Sequence, residues 1–158
     1  MVYPKWRRVV THGNINAEVA FMEWNKRYET GNEVVDSEHK EIFRLVKEVL
    51  NDVFASNQES ISTSMDFLTG YVLRHFGHEE SLMDESAYPE ARRHKSQHQL
   101  FAQRVTNLIE KIKKENDDMQ MSVEINETIV NWLVEHVLGS DKMLADYYKK
   151  WRLKQAEG

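Results

Sequence analysis

Residues His75–His98 read HFGHEESLMDESAYPEARRHKSQH. The segment places His75 and Glu79 four residues apart and, beyond a Tyr88-Pro89 break, His94 and His98 at the same spacing. Four residues is about 400° of α-helix, so each pair projects from one face, one turn apart. Leu68, Val72 and Leu82 keep step with the first pair, and Phe101, Val105, Leu108 and Ile112 with the second, which makes these faces the buried ones. A single core histidine is ordinarily satisfied by backbone. Four convergent polar groups in an apolar interior need a shared partner, and a metal ion is the economical one.

Composition sets the frame for that site. A chain of 158 residues suits one domain with its own core. The absence of cysteine excludes thiolate clusters and zinc fingers and suits a reducing cytoplasm. With a formal charge of −5 and acids and bases interspersed, no basic patch invites nucleic acid. The N-terminus MVYPKWRRVVTHGN lacks the apolar stretch of an export signal, and no run approaches bilayer length, so a soluble cytoplasmic protein without a membrane partner is expected. Only six glycines and two prolines, with 30% charged residues and recurring 3.6-residue periodicity, argue for helices throughout. The expected fold is all-α: an up-down-up-down four-helix bundle over 23–158, preceded by an N-terminal arm, 1–22, and ending in a short C-terminal helix.

The arm holds Pro4, Gly13, Asn14 and Asn16 as breakers, with His12 and the Arg7-Arg8 pair read as surface. Gly31-Asn32 marks a turn, after which a first helix is expected from Asp36, as its cap, to Ala55. Its stripe Val35, His39, Ile42, Val46, Val49 and Val53 carries another inward histidine. The second helix is expected from Ser60 to Ser86, with His78 turned outward, and the third, with Pro89 in its first turn, continues to Glu115. The fourth is expected from Ser122, with Ile125, Ile129, Trp132, Leu133 and His136 inside. Asp141 follows His136 by five residues, about 140° round an ideal helix, which suits a bridging carboxylate. Met119 and Met121 read as gap-fillers, and Tyr147, Tyr148 and Trp151 as a stripe packing on the arm.

Four helices thus offer His39, His75, Glu79, His94, His98, His136 and Asp141. Five imidazoles and two carboxylates suit two ions. Two octahedral ions offer about twelve positions; the imidazoles, two bridging carboxylates and a bridging hydroxide leave one open. A vacancy on a redox metal is a place for a small ligand. Iron is expected, with zinc and manganese left open by ligand type.

The segments VVDSEHKEIF, HFGHEESLM, YPEARRHKSQHQLF and WLVEHVLGSD make the chain resemble the bacterial hemerythrins, four-helix di-iron proteins, over roughly residues 24 to 148. The resemblance implies that His94, His98 and His136 hold one iron, that His39 and His75 hold the other, which carries the vacancy, and that Glu79, Asp141 and an oxo or hydroxo group bridge them. It implies reversible O2 binding, as peroxide at the open iron, by a carrier, store or sensor, with NO as a further candidate ligand. Ile42, Phe76, Trp132, Leu133 and Val137 match the family's apolar pocket. Two other readings compete: a di-iron redox enzyme acting on NO, peroxide or ferrous iron, and a structural bundle holding zinc or no metal. The first needs a proton donor facing the vacancy; the second needs the buried polar groups to satisfy one another.

Overall fold

The computed structural model describes residues 23–114 and 118–157, so the arm, His12 and the Arg7-Arg8 pair lie outside the described residues. After a 3-10 turn at Lys26–Tyr28 come α1 (Glu33–Phe54), α2 (Gln58–Glu85) and α3 (Ala91–Ile112). A fourth rod follows, made of α4 (Asp118–Ile125), α5 (Asn131–His136) and α6 (Lys142–Glu157), joined end to end by π turns at Asn126–Val130 and Val137–Asp141. No strand occurs among the described residues. Short connections make successive rods antiparallel neighbours, giving the up-down-up-down bundle. No helix among the described residues is long and apolar enough to cross a membrane.

Helix starts differ from the sequence expectation because side-chain caps act earlier. Asn32, not Asp36, caps α1, its side chain accepting from the amides of Val34 (3.1 Å) and Val35 (3.3 Å). Asp36 lies inside the first turn and faces back. Its carboxylate accepts from the Thr30 amide (2.7 Å), the Thr30 hydroxyl (2.8 Å) and the Gly31 amide (3.1 Å), folding the preceding loop onto the helix. Gly31 sits there at φ +82°, where a side chain would be strained. Asn57 caps α2, accepting from the Ser60 amide, so the helix begins two residues before Ser60. Pro89 belongs to the turn before α3 rather than to its first turn, and α3 ends at Ile112, short of Glu115. The fourth rod starts at Asp118, ahead of Ser122.

The core falls into two parts. The larger packs Tyr28, Phe43, Val46, Ile61, Met65 and Ile125 with their neighbours; the smaller joins Met83, Tyr88 and Leu144 at the turn between α2 and α3. Polar side chains interrupt the apolar filling between them. Met83, fully buried four residues beyond Glu79, continues the α2 stripe where Leu82 was expected, and Leu82 is only half-buried. Met121 is buried in the larger core, as a gap-filler should be. Two of the α6 aromatics, Tyr147 and Tyr148, pack on the same α2–α3 turn. Tyr147 meets the Tyr88 ring at 5.1 Å and donates to the Ser86 carbonyl (3.3 Å), while the Tyr148 hydroxyl donates to Glu85 (2.8 Å); any packing on the arm lies outside the described residues.

Asp36 serves three donors with one carboxylate, whereas Asn32 is an ordinary cap. Asp36→Ala is therefore expected to cost about 2–3 kcal/mol and Asn32→Ala about 1 kcal/mol. Urea unfolding of the two variants at unchanged slope measures both; equal losses would contradict this ranking.

Candidate metal centre

All seven polar side chains singled out in the sequence meet between the two parts of the core, each 0–5% exposed. α1 brings His39, α2 His75 and Glu79, α3 His94 and His98, α5 His136, and the second π turn Asp141. They form two groups that could each hold a cation, and the groups share their acids: Glu79, His94, His98, His136 and Asp141 in one, His39, His75, Glu79 and Asp141 in the other.

The imidazoles present Nε2 to the interior. Nε2 of His136 lies 2.9 Å from that of His94 and 3.1 Å from that of His98, and His39 and His75 approach at 3.1 Å. Asp141 spans the groups, with Oδ1 3.0 Å from His136 and 3.1 Å from His94, and Oδ2 3.2 Å from His39. Glu79 Oε2 lies 3.3 Å from His98, 3.6 Å from His94 and 3.8 Å from His75.

The placement of Asp141 depends on the π turn. An ideal helix would carry it about 140° away from His136. A π turn closes its hydrogen bonds five residues apart, which returns Asp141 beneath His136 and into the cluster. The bridging position was therefore expected for a helix geometry that the chain does not adopt there.

Outer partners come from neighbouring helices. Glu38 accepts from Nδ1 of His75 (2.9 Å) and also from Nδ1 of the exposed His78, while Glu80 pairs with Nδ1 of His98 (3.1 Å). Each such bond fixes one ring nitrogen outward and frees the other for the interior. Glu38 and Glu80 were missed in the sequence because their partners lie across a helix interface, and adjacency to His39 and Glu79 was the only signal. His78 does face outward, as expected. Aromatic rings set the remaining orientations: Phe76 stacks on His98 at 3.8 Å, and Trp132 on His136 at 4.2 Å.

Beside the cluster, against His75, His136 and Asp141, lies a mostly apolar cavity of about 10 Å³, room for about one water-sized molecule. Ile42, Phe76, Trp132 and Leu133 line it together with Leu68, Val72, Phe101 and Ile129. Val137 is fully buried in the adjoining core but does not line it.

A cation fits this donor set. Both oxygens of Glu79 and both of Asp141 are buried without a hydrogen bond. The short approaches to Asp141 thus lack hydrogen-bond direction, and such buried acceptors are rarely left in a stable interior. Burial, reinforced by the Asp141 charge, pushes the Glu79 carboxyl well above its usual range. Burial pushes Asp141 up too, but His136, His39 and His94 outweigh it and hold that carboxyl well below its range. Burial, followed by repulsion from His136 and His94, lowers His98 to about 2. Burial also lowers His75, partly offset by Glu38. Neutral imidazoles at His75 and His98 and an ionised Asp141 are ligand states a divalent cation requires, and the charge of a bound cation would favour the ionised form of Glu79 as well.

This arrangement defines a metal-binding four-helix bundle. The sequence model of the hemerythrin HHE cation binding domain matches residues 30–148, and the chain belongs to that family. The bacteriohemerythrin of Stenotrophomonas maltophilia is 27% identical over 131 residues, 83% of this chain and 84% of the relative. That of Aquifex aeolicus is 30% identical over 121 residues, 77% and 92% of the two chains. A solved structure of a point mutant shares the fold with a TM-score of 0.73 at 24% identity, covering 82% of this chain and 98% of its own.

Without a cation, the raised Glu79 pKa means that its stabilising contribution is complete below the unfolded value near 4.5 and is lost as pH rises through the folded one. His98 and His75 act oppositely, losing stability as pH falls below about 6.5. Glu79→Gln is expected to stabilise the metal-free protein at pH 7 by about 1–3 kcal/mol, a gain that shrinks towards pH 4. Urea unfolding across that range, with metal removed by chelation, measures it; a destabilised variant at pH 7 would show Glu79 to be satisfied without metal.

Proposed function

We propose that the chain binds O2 reversibly at a pair of irons, as a carrier, store or sensor. The observation that carries this reading is the asymmetry of two cation-holding groups sharing both acids, three imidazoles in one and two in the other, beside an apolar cavity. His94, His98 and His136 would hold one iron and His39 and His75 the other, with Glu79 and Asp141 common to both. The group with fewer imidazoles keeps a position free for a ligand. When bound, such a pair supplies one electron from each iron to O2 and recovers both on release.

The protein's own residues do the remainder. Ile42, Phe76 and Leu133 exclude water from the cavity, so protons that would drive irreversible loss of reduced oxygen have no ready source. Glu38 and Glu80 hold His75 and His98 with Nε2 inward. The polar residues lining the cavity are themselves metal-ligand candidates, His75, His136 and Asp141. Reduction of NO or peroxide calls for a positioned acid; the apolar remainder of the lining supports reversible binding over that enzymatic reading.

Visible spectra of the iron-loaded, reduced protein should show charge-transfer bands that appear with air and vanish on deoxygenation over repeated cycles. Bands that appear once and persist, with ferric iron and free peroxide, would overturn reversible binding and favour redox catalysis.

A further inference from the structure

The π turn Val137–Asp141 is what brings Asp141 under His136, and π geometry is rare enough that contacts from outside the helix that hold it are worth seeking. Gly139, in the middle of the turn, brings no side chain to do so. Apart from Asp141 itself, one side chain of the turn hydrogen-bonds to another helix among the described residues. The Ser140 hydroxyl, nearly buried, donates to the Gln97 side-chain carbonyl on α3 at 2.7 Å. Its two ends flank the metal ligands: Gln97 precedes His98, and Ser140 precedes Asp141.

We propose that the Gln97–Ser140 hydrogen bond pins the π turn and thereby aims Asp141 into both cation-holding groups, making Gln97 and Ser140 positioning residues of the metal centre. Neither is a ligand. Without the pin, the turn relaxes towards regular α-helix, which carries residue 141 about 140° round from His136. The acid shared by the two groups is then withdrawn from each. The inference rests on the reading of the seven buried side chains as that centre.

The test uses the full chain as wild type, Ser140→Ala, Gln97→Ala and the double variant, with Co(II) as the probe. Gln97 is only half-buried, so Gln97→Ala keeps the test decisive even if Ser140→Ala disturbs the fold. In the metal-free proteins, amide hydrogen exchange at residues 139–142 should be faster in every variant than in wild type. In chelator-competition titrations, each single variant should bind Co(II) about 10–100-fold more weakly. The double variant should lose no more than the larger single loss, since both changes remove one interaction. Exchange and affinity in Gln97→Ala within twofold of wild type, or losses that add in the double variant, would overturn the pin. Wild type taking up fewer than two Co(II) per chain would instead overturn the metal reading, while the exchange measurement still decides whether the pin holds the turn.

Discussion

Two carboxylates buried side by side, with no hydrogen bond to either, are the constraint around which this bundle is arranged. Uncompensated burial of even one carboxylate costs several kcal/mol, against a total stability of about 5–15 kcal/mol for a domain. Five imidazoles surround the pair, yet close approach between ring nitrogens leaves too few protons and too little direction to satisfy all of them. Cations accepting from nitrogen and oxygen at once resolve both problems. Folding and metal binding are therefore linked: whatever binds only the folded state stabilises it.

That constraint explains the divided core. A bundle filled by apolar side chains alone would run one cluster from end to end. Here the larger cluster stops at the level of His39, His75, His98 and His136, and a small cap of Met83, Tyr88 and Leu144 resumes beyond Glu79 and Asp141. The cap, tied to α6 through Tyr147, closes the end of the bundle over the acids. On the flanks, Glu38 and Glu80 reach the outer nitrogens of His75 and His98 from the neighbouring helix. Packing and ring orientation thus belong to one arrangement.

Much of this was visible in the sequence because the helical period is regular. His75 with Glu79 and His94 with His98 needed only four-residue spacing and apolar neighbours in step. What escaped were features that break the period or cross between helices. Asp141 was read as a bridge, but from an ideal-helix rotation that the π turn replaces. Glu38 and Glu80 went unnoticed, because nothing local reveals a partner on another helix. The cap of α1 was misplaced for a related reason: Asp36 has the chemistry of a cap, but its carboxylate serves Thr30 and Gly31 behind it, leaving Asn32 to start the helix.

On the proposed function, the features that weaken the protein without metal are those that select its ligand. Burial removes water from around Glu79 and Asp141, at a cost to the metal-free protein, and the same exclusion leaves a cavity bounded by Ile42, Phe76, Trp132 and Leu133. A space of about 10 Å³ admits only a very small ligand, and its apolar walls leave His75, His136 and Asp141 as the polar residues facing it. Stacking of Trp132 on His136 and Phe76 on His98 gives the rings little room to turn. Selectivity by size and polarity then needs no hydrogen bond to the ligand, and a ligand held without such bonds is free to leave as it came.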